Sequence, residues 1–94
     1  MIYSEKLVFL IYDELITVDV ENIVCCKSDD DWSIICLRDN EEVHVNRTIS
    51  TLMKKLPKKH FSRVHKEWIV NVHYIDQVFF FVIYIRMIDG VEML

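Results

Sequence analysis

The chain has 94 residues, 52% of them apolar, and a formal net charge of −4. This length supports one small core rather than two, and a single Gly and a single Pro argue against a flexible linker or a disordered tail. The start lacks the features of a signal peptide, and the most apolar run, residues 78–85, is far shorter than the roughly 20 residues that cross a bilayer. We therefore expect one cytoplasmic domain over residues 1–94, with no membrane insertion.

The first half of the chain reads as short strands separated by polar turns. Five β-type runs are predicted, at residues 6–12, 15–18, 23–26, 32–37 and 43–45. The first two form a predicted hairpin with its turn at Asp13 and Glu14. Lys27 and Ser28 are expected to end the third strand, and residues 29–31 form a turn. Short strands with short connections are typical of antiparallel sheets.

One helix is predicted near the middle of the chain. Apolar residues recur there at the spacing of a single helix face, namely Ile49, Leu52, Met53 and Leu56. Thr48 is the expected N-cap, and Pro57 ends the helix. The lysines after Met53 complement the helix dipole at its C-terminal end.

The second half returns to extended structure. Four further extended segments are predicted, at residues 61–64, 68–70, 75–81 and 83–88. Residues 65–67 form a loop between the first two, residues 72–74 form a turn or a helical turn, and Asp89-Gly90 is a hairpin signal. The fold class is therefore mostly β, with small antiparallel sheets and one or two short helices.

The sequence shows no pattern of a metal centre or an active site. Four His and three Cys are present, but neither C-x-x-C nor H-x-x-x-H spacing occurs. Cys25, Cys26 and Cys36 fall within apolar strands, and the first two would face opposite sides of their strand, so a disulfide framework is not expected. Gly90 is the single glycine, which excludes a Gly-rich phosphate loop. We expect no metal, no cofactor and no enzyme activity.

Positive charge is concentrated in residues 43–66. This segment has no acidic residue and seven basic ones, namely Arg47, Lys54, Lys55, Lys58, Lys59, Arg63 and Lys66. The rest of the chain carries four basic and fifteen acidic residues. Such a split can present a basic face to a polyanion, since phosphates are bound by Lys and Arg. The alternative is that a lysine-rich helix is simply a solvated surface.

A sequence motif helps to choose between a face that binds a polyanion and a simply solvated surface. Residues 61–71 read Phe-Ser-Arg-Val-His-Lys-Glu-Trp-Ile-Val-Asn. This run resembles the central motif of the LytTR family of bacterial DNA-binding domains, approximately Phe-x-Arg-Ile-His-Arg-Ser-Tyr-Ile-Val-Asn. The resemblance extends over nearly the whole chain: residues 20–24 are similar to the family's opening segment and residues 47–56 to its helix. Trp32 stands where the family commonly has an aromatic residue.

The resemblance implies the output domain of a response regulator in a two-component system. Such domains insert loops, rather than a recognition helix, into the grooves of double-stranded DNA. The first contact loop would be the turn around Asp31 and Trp32, and the second would be residues 65–67, with Lys66 at the contacting position. The family's third contact segment is basic and follows the last hairpin. We expect residues 1–94 to lack it. A homodimer on DNA and an upstream receiver or sensor protein are the further partners implied.

The candidate DNA-binding residues are therefore Lys66, Arg63, His65, Arg47, Trp32 and Asp31. Lys66 and Arg63 are the favoured contacts. His65 and Asn71 are expected to have structural hydrogen bonds as well, because buried polar groups need partners. Arg47 either reaches a phosphate or pairs with an acid of a neighbouring strand.

An alternative function is a degenerate LytTR-like module that acts through protein–protein contacts. The acidic turn at residues 29–31 would face phosphates at short range, and Glu67 stands beside Lys66. The apolar residues 79–82 would suit a partner protein if they were exposed.

Overall fold

The computed structural model describes residues 5–74. The predictions for residues 75–94, including the strands at 75–81 and 83–88, the Asp89-Gly90 turn and the apolar residues 79–82, lie outside this range. The described strands are β1 (Lys6–Ile11), β2 (Glu14–Asp19), β3 (Ile23–Asp29), β4 (Trp32–Leu37), β5 (Glu42–Val45), β6 (Phe61–His65) and β7 (Trp68–Asn71). The described helices are α1 (Ile49–Lys55) and three single 3-10 turns at Val20–Asn22, Arg38–Asn40 and Val72–Tyr74. The mostly β fold class is confirmed.

The described strands form two antiparallel sheets. β1 and β2 make a two-stranded hairpin, and the other five strands form a sheet in the order β5-β4-β3-β7-β6. The pairing of β3 with β7 is the long-range contact of this sheet, with Cys25 opposite Val70 and Lys27 opposite Trp68. It places the motif at residues 61–71 beside the β3–β4 hairpin.

The main core lies on one face of the five-stranded sheet, under α1 and the hairpin. Alternate residues of β1 point into it, and Phe9 is almost completely buried. The core also includes Ile35, Leu52 and Ile69, which contribute about 1.5–3 kcal/mol each by leaving water. Cys26 belongs to this core, whereas Cys25 belongs to a smaller cluster with Trp68 and Val70 on the other face of the sheet. The prediction that Cys25 and Cys26 face opposite sides is confirmed.

Helix α1 begins and ends as predicted. Thr48 is its N-cap, with Oγ1 accepting a hydrogen bond of 3.2 Å from the Thr51 N–H. Leu56 is the C-cap, directly before Pro57, and Lys54 and Lys55 lie in the last turn. No helix within residues 5–74 is long and apolar enough to cross a bilayer.

The turn of the first hairpin was predicted one residue too late. The turn residues are Tyr12 and Asp13, and Glu14 already pairs with Ile11 in β2. Both turn residues have positive φ, 51° and 64°, as in a type I′ turn, whose twist matches that of the flanking strands. A turn at Asp13 and Glu14 would have moved each partner by two residues and left the same side chains on the buried face, so burial of one face does not by itself distinguish the two positions.

The prediction that β3 ends at Lys27 and Ser28 was also wrong. Lys27 pairs with Ile34 and Ser28 with Ser33, so the strand continues to Asp29. Backbone pairing does not require apolar side chains, and the Lys27 ammonium lies 5.9 Å from the centre of the Trp68 ring.

Candidate nucleic-acid interface

Three connecting segments meet at one end of the five-stranded sheet, because β3, β5 and β6 end where β4 and β7 begin. The Ser28 N–H donates a 2.9 Å hydrogen bond to the Glu67 carbonyl, which joins the β3–β4 hairpin to the β6–β7 turn. The Ser33 hydroxyl donates a 2.7 Å hydrogen bond to the Arg47 carbonyl, which fixes the segment after β5. We call residues 29–32, 46–48 and 63–67 the loop end. All six predicted site residues lie within it.

Lys66 and Glu67 form the two-residue turn between β6 and β7, and both are exposed. The Arg63 side chain holds this turn in place through hydrogen bonds. One guanidinium nitrogen, Nη1, donates a 3.0 Å hydrogen bond to Ser50 Oγ of α1, and Nη2 donates to the Lys66 carbonyl oxygen. Arg63 therefore ties the turn to the first turn of α1.

The Nε atom of Arg63 is buried and has no hydrogen-bond partner among the described residues. Its side chain is half-buried. The structure thus places Lys66 at the surface of the loop end and Arg63 beneath it. Only the first is arranged as an outward-facing cation.

His65 is 5% exposed, and its Nδ1 accepts a 3.1 Å hydrogen bond from the Glu67 N–H. An accepting Nδ1 places the proton of the neutral imidazole on Nε2. Asn71 is also buried: its Nδ2 donates to the Ile23 carbonyl at 2.8 Å, and its Oδ1 accepts from the His73 N–H at 3.0 Å. The structural hydrogen bonds predicted for His65 and Asn71 are present.

Arg47 is half-buried, and its guanidinium bonds locally. Nη1 donates to the carbonyl and to the side-chain oxygen of Asn46, at 2.9 Å each. Neither ion pair found within residues 5–74 involves Arg47, so the predicted alternative of an acidic partner on a neighbouring strand is not seen there.

Two residues at this end were missed by sequence reasoning. Asn46 donates from Nδ2 to the Leu10 carbonyl at 3.2 Å and so joins the loop end to the first hairpin. Tyr12 is 87% exposed, and its ring centre lies 5.9 Å from that of the half-buried Trp32. The positive φ of Tyr12 could have been anticipated only from the correct hairpin register, because tyrosine is common in strands.

The electrostatics of the loop end are mixed. Asp29, Asp30 and Asp31 are exposed on it, next to the β6–β7 turn with Glu67. Lys54 and Lys55 lie at the other end of α1, about 6–7.5 Å further along the helix axis than Ser50, which contacts Arg63. The basic segment of the sequence is therefore divided between two regions of the surface.

Among the residues that the structure describes, no three His, Cys, Asp or Glu side chains are grouped to bind a metal ion. The loop end is instead a surface made of exposed polar turns at one end of the sheet. The described architecture is thus two small antiparallel sheets, with polar turns gathered at one end of the larger one, and a seven-residue helix.

Comparison with known proteins identifies the family of this chain. Residues 13–93 match the family model of the LytTr DNA-binding domain. The chain belongs to the LytTr DNA-binding domain family, as the motif at residues 61–71 predicted, and this membership favours the DNA-binding function over the protein-interaction alternative.

Two relatives illustrate the match. The sensory transduction protein LytT of Bacillus subtilis (strain 168) is 29% identical over 75 residues, which are 80% of this chain and 31% of that protein. The chain thus spans about a third of the length of this curated relative. A solved LytTr DNA-binding domain from Bacillus cereus superposes with a TM-score of 0.60 at 20% identity, covering 72% of this chain and 62% of the other. The fold is therefore shared with a LytTr domain of known structure.

Proposed function

We propose that this chain is the DNA-binding domain of a bacterial transcriptional regulator and that it contacts double-stranded DNA with its loop end. The observation that carries the proposal is the meeting of the β3–β4 turn, the segment after β5 and the β6–β7 turn at one end of the sheet. A rigid sheet that presents several short turns can reach both a groove and its flanking phosphates.

Lys66 is the principal contact in this proposal, as an exposed cation at the tip of the β6–β7 turn. Arg63 and His65 act through it, the first by holding the Lys66 carbonyl and the second by fixing the turn through Glu67. Arg47 adds charge toward phosphate. Asp31 accepts a hydrogen bond from a cytosine amino group, a contact that carboxylates can make in the major groove.

Trp32 supports the β3–β4 turn from the core side. The chain works as a single domain that binds rather than catalyses, in the cytoplasm, and a second copy on DNA is the proposed partner there. The name of the Bacillus subtilis relative, a sensory transduction protein, supports an upstream receiver or sensor as the source of regulation.

The test is a salt titration of binding to promoter DNA from the chain's own operon, followed by fluorescence anisotropy. Lys66→Ala should weaken binding and reduce the slope of log K against log salt by about 0.9, the value for one phosphate contact. Lys55→Ala is the matched control, because this exposed lysine lies in the last turn of α1, away from the loop end. It should leave the slope within about 0.3 of the wild-type value.

Arg63→Lys separates contact from positioning. It keeps the positive charge but loses the planar fork that reaches Ser50 and Lys66 together. Affinity should fall while the salt slope stays near that of the wild type. The proposal fails if the wild-type chain shows no salt-dependent binding, or if Lys66→Ala and Lys55→Ala behave alike.

A further inference from the structure

Two of the three cysteines lie directly opposite each other on adjacent strands of the five-stranded sheet. Cys25 of β3 and Cys36 of β4 are directly opposite partners in the antiparallel register. Such partners have Cα atoms about 4.5 or 5.5 Å apart, depending on the type of pair, and both distances lie in the range of about 4.4–6.8 Å found for disulfides. Cys26 lies on the other face of β3, buried in the main core.

The two thiols also interact chemically. The Cys25 S–H donates a hydrogen bond to the Cys36 sulfur, which lowers the pKa of Cys36, and the Lys27 ammonium acts in the same direction against burial and Glu42. The same hydrogen bond, together with burial, raises the pKa of Cys25. Cys36 therefore loses its proton first, and it is also the less buried of the two, since Cys25 is 5% exposed.

We propose that Cys25 and Cys36 are an oxidation site, which hydrogen peroxide converts to a disulfide between β3 and β4. The Cys36 thiolate attacks one oxygen of the peroxide; an S–O bond forms, the O–O bond breaks, and the departing hydroxide takes up a proton to become water. The Cys25 sulfur then loses its proton and attacks the Cys36 sulfur. The S–S bond forms as the S–O bond breaks, and the hydroxide leaves with that proton as a second water. Two thiols are oxidised, and one peroxide is reduced to two waters.

The geometry makes this disulfide reversible. The Cβ atoms of opposite residues lie about 4.5–5.5 Å apart, whereas a disulfide needs about 3.5–4.5 Å, so the strands must draw together. The register of β3 already shifts between Ile23 and Cys25, which allows local adjustment beside the pair. Strained disulfides are reduced more readily than relaxed ones, so a dithiol reductant should restore both thiols.

The test uses the purified chain at low concentration, treated with hydrogen peroxide, alkylated and digested with trypsin for mass spectrometry. Trypsin cuts after Lys27 and Arg38, so Cys25 and Cys26 lie on the peptide of residues 7–27 and Cys36 on that of residues 28–38. The expected product is these two peptides joined, with free thiols falling from three to one in the intact monomer. Treatment with dithiothreitol should return all three.

Variants identify the pair. Cys26→Ala should give the same linked peptides, whereas Cys25→Ala and Cys36→Ala should give no link, with folding checked by circular dichroism. The proposal is overturned if the wild-type chain keeps three free thiols while a small-molecule thiol in the same solution is oxidised. It is equally overturned if Cys25→Ala still links the two peptides, or if the bond joins two protein molecules.

Discussion

Asn71 shows why the motif at residues 61–71 requires particular polar residues. Its amide is fully buried and uses both polar atoms, one toward the Ile23 carbonyl of β3 and one toward the His73 N–H of the following turn. A residue of similar size without an amide could not serve both partners. The same reasoning applies to His65, whose ring nitrogen accepts from the turn that carries Lys66. These residues are selected by hydrogen bonding inside the fold.

Replacing Asn71 with Ala should lower the free energy of unfolding by about 2–4 kcal/mol, because a carbonyl and an N–H lose their partner in a buried site. Asn46→Ala is the control, since the Asn46 amide donates to the Leu10 carbonyl in an exposed position. It should cost less than about 1 kcal/mol. Urea unfolding followed by tryptophan fluorescence measures both, and equal losses would contradict this account.

Helix α1 illustrates how an element depends on its neighbours. Seven residues are too few for a helix that is stable by itself in water. It is held by the burial of Ile49 and Leu52 and by the N-cap at Thr48. The Arg63 contact with Ser50 adds a link from the helix to the β6–β7 turn, so a loosened helix start would also loosen the turn with Lys66.

Thr48→Ala should therefore destabilise the chain by about 1 kcal/mol, because the Thr51 N–H loses its acceptor. Thr48→Ser keeps the hydroxyl and should retain most of the stability. The measurement is the urea midpoint of unfolding, which reports a change in stability when the m value is the same for both variants. A serine variant as unstable as the alanine variant would show that the methyl group, rather than the cap, is what matters at Thr48.

At the scale of the whole molecule, charge is distributed differently from the linear sequence. Lys54 and Lys55 lie at the far end of α1, whereas the exposed acids at residues 29–31 share the loop end with Lys66. An approaching phosphate therefore meets attraction and repulsion together. DNA affinity should be limited by this acidic turn, most strongly at low salt.

Asp30→Asn tests that limit. Removing one carboxylate about 7 Å from a phosphate is worth about 0.6 kcal/mol in water, or roughly a threefold gain in affinity. Asp39→Asn is a matched control, because both aspartates occupy exposed turns with positive φ, 54° and 67°, and Asp39 lies beyond the other end of β4. The gain should disappear near 1 M salt, where the screening length is about 3 Å. Equal effects of the two substitutions at low salt would argue against contact through the loop end.

The sequence by itself determined the local elements and the family. The apolar spacing from Ile49 to Leu56, the Thr48 cap and the alternation of residues 43–45 in β5 depend on neighbouring residues, so they can be recognised without the fold. The motif at residues 61–71 identified the family because it combines apolar spacing with set polar residues. The turn at Tyr12 was misplaced because both positions leave the same side chains on the buried face, and the segment has no Asn-Gly or Asp-Gly pair to mark the turn.

Only the tertiary structure decided which distant residues meet. The pairing of β3 with β7 brings the β3–β4 turn beside Lys66, and no local pattern specifies that neighbour. The position of Arg63 under the turn, and of Cys25 opposite Cys36, likewise follows from strand order and register. Strand order and register are set by the free energy of burying all the apolar faces together, which is a property of the whole chain and not of any segment.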